Sequence, residues 1–260
     1  MLQGTHVLDY DQELRLHHAA FRRAYSIART DSVLDIGCGV GETTREAARS
    51  ASEGHALGID RSEVMIERAR ALALAEGPRN VSFECANAED YVLPARQLDL
   101  AISRFGSMFF AEPVKAFTNI CFALKPFGRL AMIVWQSREQ NEWAMEIPRA
   151  LGEREVSAGV WQAFSLGDPG TIKQTLNAAG FVDVSCDEVH EPVFYGTDTE
   201  SAFAFVSQFL LVQETLDTLA EDERKRALNR LRALLEKHLT PDGVWFDSRA
   251  WIVSARRRGA

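Results

Sequence analysis

The run Ser32-Val33-Leu34-Asp35-Ile36-Gly37-Cys38-Gly39-Val40-Gly41-Glu42 decides the fold. Its first residues form a short β-type stretch. The glycines that follow let the backbone turn sharply and let a ligand approach with no Cβ in the way. A helix is predicted to start at once, over about 42–50. Ala56-Leu57-Gly58-Ile59-Asp60 reads as a second strand, and residues 62–76 as an Ala-rich helix closed by Gly77-Pro78.

Outward from this unit the alternation continues. Strands are predicted at 81–85, 98–103 and 129–135, with a helix at 113–124 ended by Lys125-Pro126-Phe127-Gly128. A helix at 169–179 and strands at 181–190 and about 249–257 complete the rhythm. Strands alternating with helices imply right-handed βαβ units and a parallel sheet covered on both faces. The apolar run Leu130-Ala131-Met132-Ile133-Val134-Trp135 suits a central parallel strand. Elsewhere, residues 11–29 have helical spacing, with His17, Phe21 and Tyr25 recurring every four, and 199–239 read as two helices. Residues 137–167 carry no clear pattern, and their Trp143, Trp161 and Phe164 fit a substrate wall or a core equally well.

The chain has 260 residues, room for one α/β domain with a helical cap. Its net charge of -8 repels nucleic acid phosphates and anionic membranes. The basic run Arg256 to Arg258 reads as a solvated end. No stretch has the length of a membrane span, and the first residues (His6, Asp9, Asp11, Glu13) lack a signal-peptide layout. Cys38, Cys85, Cys121 and Cys186 are scattered with no CxxC pair, which fits reduced thiols in the cytoplasm. No metal-ligand spacing appears: adjacent His17 and His18 point about 100° apart on a helix and cannot share an ion without a third group.

Nineteen residues beyond Gly41 stands Asp60, at the end of the second strand. An acid there commonly accepts hydrogen bonds from the ribose hydroxyls of a nucleoside. A dinucleotide also needs a helix N-terminus free for pyrophosphate and GxGxxG spacing. Here Glu42 stands at the third glycine and Asp35 precedes the loop, setting two carboxylates near any phosphate. Like charges ~4 Å apart at an effective dielectric of ~20 repel by about 4 kcal/mol. S-adenosylmethionine (SAM) has no phosphate and carries an amino group and a sulfonium, so the loop favours SAM over NAD.

Val33 to Gly41 resembles motif I of the class I SAM-dependent methyltransferases. Gly58-Ile59-Asp60-Arg61-Ser62-Glu63-Val64-Met65 is similar to their ribose-binding segment, and Asn87-Ala88-Glu89-Asp90 to their adenine loop. Leu98 through Phe110 resembles the fourth strand and loop of the subgroup near the ubiquinone/menaquinone-biosynthesis methyltransferases, and Leu124-Lys125-Pro126-Phe127-Gly128-Arg129-Leu130 completes the set, over roughly residues 30–190. Two departures stand out: Asn87 where Asp is usual, and Phe127 where glycine is common.

The resemblance implies a Rossmann-like, doubly wound α/β fold with a mainly parallel seven-stranded sheet and a helical cap. A single domain over 1–260 would comprise a lid (1–30), a SAM-binding core (31–136), cap insertions (137–167 and 199–240) and the last strands and helix of the core (168–198 and 241–260). Asp35 would face the methionine amino group, with the backbone of Gly37, Cys38 and Gly39 lining the cofactor. Asp60, with Arg61 beside it, would hold the ribose, and Met65 would pack on the adenine ring. Asn87, Ala88 and Glu89 would border its edge, while Ser103 and Arg104 close the pocket beside the methionine carboxylate.

The implied activity is in-line methyl transfer to oxygen, carbon or nitrogen of a small, partly apolar acceptor, with donor and acceptor held aligned in a dry pocket. The segment before motif I forms a lid in such enzymes, so His17, His18 and Tyr25 are the candidate catalytic groups. Cys38, between two glycines, reads as a packing residue rather than a nucleophile, and His55 and His238 as structural. Two rivals stay open: a SAM-binding protein without transfer, and an NAD-dependent oxidoreductase. Oligomeric state is left open.

Overall fold

A computed structural model describes residues 10–152 and 161–259. Positions 1–9 of the expected lid and 153–160 of the expected cap therefore lie outside the described residues. The chain divides into two compact units, residues 20–136, 163–189 and 250–260 in one, and 1–19, 137–162 and 190–249 in the other.

The first unit carries a seven-stranded sheet. Its strands are β1 (Ser32–Ile36), β2 (His55–Asp60), β3 (Val81–Cys85), β4 (Leu98–Arg104), β5 (Leu124–Trp135), β6 (Phe181–His190) and, last in the chain, β10 (Arg249–Arg257), in the order β3-β2-β1-β4-β5-β10-β6. The pairs β3-β2, β2-β1, β1-β4 and β4-β5 are parallel, and β10 runs antiparallel to β5. This is the mainly parallel, doubly wound α/β sheet expected from the alternation. Strand order grows away from β1 in one direction and from β4 in the other. The loops after β1 and β4 therefore diverge, and open α/β sheets bind ligands in the crevice at that switch point.

Local chemistry sets the helix ends. α3 (Glu42–Ser50) follows the glycine turn directly. α4 (Glu63–Glu76) starts where Ser62 Oγ accepts the Met65 N–H at 3.4 Å, and stops at Gly77 with φ 89°. α5 (Pro113–Ala123) opens on proline, and α7 (Pro169–Ala178) is capped by Asp168 accepting the Thr171 N–H. Leu130 to Trp135 are all buried, as a central strand requires.

Two sequence readings need correction, and the unpatterned segment can be assigned. The N-terminal helix is broken into α1 (Tyr10–Glu13) and α2 (Arg15–Ala24), so Tyr25 lies beyond the helix that carries His17 and Phe21. The unpatterned segment contains α6 (Glu142–Leu151). Residues 199–239 form three helices, α8 (Thr199–Val206), α9 (Leu210–Asp217) and α10 (Glu221–Lys237), in place of two. A small antiparallel sheet of β7 (Val193–Gly196), β8 (Leu239–Thr240) and β9 (Gly243–Phe246) was not foreseen. These last elements belong to the second unit, where the buried rings of Tyr195 and Phe246 pack with the half-buried Phe205 and Phe209. No cysteine is disulfide-bonded. Among the described residues, no helix is long and apolar enough to cross a membrane, and no cluster could hold a metal ion.

Candidate functional site

The crevice of the first unit is built where the turns after β1 and β4 meet. Gly37 has φ +68°, and a Cβ there would lie 2.8 Å from Cα of Gly106, so the two turns touch backbone to backbone. Gly39, with φ +54°, differs: its Cβ would meet nothing within 4 Å. The outer edge of the loop is thus open, and a molecule lying along it meets main chain rather than side chain. Loop and β2 are tied together by Gly37 and Cys38 N–H donating to the Ile59 carbonyl at 2.9 and 3.1 Å.

One carboxylate, Asp60, borders this edge, and a second, Asp35, is buried at the end of β1. Asp60 accepts the Gly39 N–H on Oδ2 and the Ser62 N–H on Oδ1, both at 2.9 Å. Each oxygen keeps lone-pair capacity for another donor, and the residue is only half-buried. Asp35 is 1% exposed, and Thr44 Oγ1 donates to its Oδ2 at 2.6 Å. Glu42 changes the charge argument made from sequence. Its carboxylate lies 3.4 Å from the Arg104 guanidinium, whose side chain is 11% exposed. That pair is nearly neutral, so the anionic character of the loop rests on Asp35 and Asp60.

Cys38 is buried against Ile66, Ala69, Ala73 and Phe83. Burial first, then the Asp35 and Asp60 carboxylates, push its thiol far above the usual range. A neutral, packed thiol is no nucleophile. Ser103 is fully buried, donates to the Ile36 carbonyl at 2.9 Å and accepts the Ser107 N–H at 3.0 Å. It clamps β4 to the end of β1.

The remaining sequence candidates of this unit fall on three loops or helix starts. Arg61 is exposed, and its carbonyl accepts the Cys85 thiol at 3.5 Å. Met65 is half-buried in the first turn of α4. Asn87 Oδ1 accepts the Glu89 N–H at 3.1 Å, the Ala88 carbonyl accepts from Asn119 Nδ2 at 2.9 Å, and Glu89 Oε1 accepts the Ala111 N–H at 2.8 Å. The first bond shapes the loop itself, and the other two tie it to α5 and to the segment before it. Tyr25 stacks edge-on against Phe21 with centroids 4.8 Å apart. Burial, then Asp35 and Glu46, raise its phenol pKa against the opposing pull of Arg22 and Arg104. At neutral pH it is a hydrogen-bond donor, not a base.

His17 and His18 belong to the second unit, both buried. Burial drives the His17 pKa down to about 4. The Ser248 hydroxyl, 3.1 Å from His17 Nε2, donates its one proton to the Glu191 carbonyl at 2.7 Å. The neutral ring must therefore carry its proton on Nε2. Trp143, Trp161 and Phe164 are absent from the buried core, and Trp161 is 51% exposed. Sequence reasoning passed over Thr44 and Gly106. Gly106 was visible as a glycine after β4, but the backbone contact that demands it is not written in any local pattern.

Comparison with known proteins adds a family. A family model described as "Methyltransferase domain" matches residues 27–179, more than half of the chain. The aklanonic acid methyltransferase of Streptomyces sp. (strain C5) is 38% identical over 39% of this chain and 46% of its own. A probable methyltransferase of Aspergillus luteorubrus is 37% identical over 72% of this chain and 70% of its own. The chain thus spans under half of the first relative's length. Among solved structures, Haemonchus contortus phosphoethanolamine N-methyltransferase 2 in complex with SAM shares the fold, with TM-score 0.59 and 18% identity over 94% of this chain and 52% of that one.

Proposed function

Because the chain belongs to this methyltransferase-domain family, we propose that it is a SAM-dependent methyltransferase acting on a small, partly apolar acceptor. One observation carries the cofactor reading: an open glycine edge bordered by Asp60, with Asp35 buried behind it and Glu42 paired with Arg104. Such an edge accommodates an amino group and ribose hydroxyls and offers little to a pyrophosphate.

The residues fit the cofactor as follows. Asp60 holds the ribose hydroxyls with the lone pairs its two backbone donors leave, and Arg61 lies beside it. Asp35 faces the methionine amino group, while Gly37, Cys38 and Gly39 line the ligand with main chain. Met65 packs on the adenine ring, a sulfur–aromatic contact worth about 0.3–1.5 kcal/mol. Asn87, Ala88 and Glu89 border its edge, with Asn87 Oδ1 keeping one lone pair beyond its bond to Glu89. Ser103 and Arg104 close the methionine end. Bound there, SAM supplies a methyl group already activated by its sulfonium. The chain's task is then to orient, exclude water and manage any acceptor proton.

His18, His17 and Tyr25 are the groups for that last task. Of these, His17 at about 4 and Tyr25 as a neutral phenol make weak bases. The acceptor class we favour is an aromatic one such as a phenol or a quinone-like ring. Kinship with an aklanonic acid methyltransferase supports that class. Four unbridged cysteines suit the cytoplasm, and the net charge of -8 opposes nucleic acid acceptors.

The test is release of S-adenosylhomocysteine from SAM in the presence of a panel of phenols, hydroquinones and polyketide acids. At least one acceptor should raise release well above the acceptor-free rate. Tight SAM binding with no release across the panel would instead favour a SAM-binding protein that performs no transfer.

A further inference from the structure

Beneath the glycine loop lies a buried polar contact that no role above requires. Thr44, in the first turn of α3, is 0% exposed, and its hydroxyl donates to the 1%-exposed Asp35 carboxylate at 2.6 Å. The Cys38 thiol, close by, donates to the Gly39 carbonyl at 3.7 Å. Gly58 is paired with Asp35 across β1 and β2, and it supplies the space for both atoms. A Cβ at 58 would stand 2.8 Å from Thr44 Oγ1 and 2.9 Å from Cys38 Sγ. The sheet therefore gives up a side chain on β2 so that a hydroxyl can reach a carboxylate on β1.

A buried carboxylate has a strong preference for orientations in which it receives donors, because an unmet lone pair in low dielectric costs far more than in water. Thr44 occupies Oδ2 from the helix side. Thr44 thereby favours one orientation of the Asp35 carboxylate. A side chain without a hydroxyl at 44 would leave the buried carboxylate one donor short.

We infer that Thr44 is a positioning residue for cofactor recognition: through Asp35 it sets affinity for the amino-acid end of the ligand and leaves the nucleoside end untouched. This rests on the SAM reading of the site. It selects the ligand part that should respond, since Asp60 and the loop of Asn87 to Glu89 are bonded to other groups.

Two probes separate the ends. S-adenosylhomocysteine and 5′-methylthioadenosine share a nucleoside and a neutral sulfur, and differ in the amino-acid tail. Calorimetric titration of both into wild type, Thr44→Val and Thr44→Ser reads the effect directly. Thr44→Val should bind S-adenosylhomocysteine about tenfold more weakly and methylthioadenosine within about twofold of wild type, while Thr44→Ser restores the first affinity. Equal weakening of both ligands in Thr44→Val, or no weakening of either, would overturn the inference. Failure of Ser to rescue would do the same. If wild type binds neither probe, the SAM reading itself falls, and this inference with it.

Discussion

His17 has no exposed surface, and its protonation must therefore appear in stability. Its ring titrates near 6.5 when unfolded and at about 4 in the fold, because burial penalises the charged form. Between those values the unfolded chain takes up a proton that the folded chain refuses. Stability is thus undiminished above about pH 6.5 and falls as pH drops towards 4, by up to roughly 3 kcal/mol over the whole window. Urea unfolding at pH 7 and pH 4.5 should show a clearly smaller loss in His17→Gln than in wild type; equal losses would remove His17 from the account. At this scale the glycines and Asp60 were legible, since spacing along the chain states their geometry. The partner of Glu42 was not. Arg104 meets it only because β1 and β4 are neighbours, a tertiary fact that converts an expected anionic position into a compensated pair.

Elements were readable where the sequence punctuates them. Ser62, Gly77, Pro113 and Asp168-Pro169 mark helix ends by chemistry that acts within a few residues, and the structure uses each. The helix ending at Ala24 and the breaks between α8, α9 and α10 have no glycine or proline to announce them. Strands of two to four residues, as in β7, β8 and β9, are too short to show alternation. Phe127 is the opposite case, a departure visible in sequence with a cost visible in structure. It has φ 63° and is 66% exposed within the irregular start of β5. A bulky residue in the left-handed region costs about 1–2 kcal/mol. Glycine removes that strain but gives back about 0.4–1 kcal/mol of chain entropy. Phe127→Gly should accordingly raise stability by roughly 0.5–1 kcal/mol in urea unfolding, and a loss of stability would show that the ring contributes more than the strain.

Over the whole molecule, the order β3-β2-β1-β4-β5-β10-β6 places one switch point, and the motifs that resemble a methyltransferase sit on the strands and loops around it. The parallel core was legible because α3, α4 and α5 each follow a strand of it and give a regular alternation, though β3 and β4 are joined without a helix. The second unit was not, since it is gathered from separate stretches, 1–19, 137–162 and 190–249, that no local period links. The net charge of -8 also slows the approach of a phosphate-bearing cofactor from a distance. The most direct measurement is calorimetric titration of SAM and NADH into the same protein, repeated with Asp60→Ala. The account predicts one site for SAM, no heat of binding for NADH, and SAM affinity more than tenfold weaker in Asp60→Ala. A chain that took NADH and ignored SAM, or that bound SAM equally well without Asp60, would contradict it.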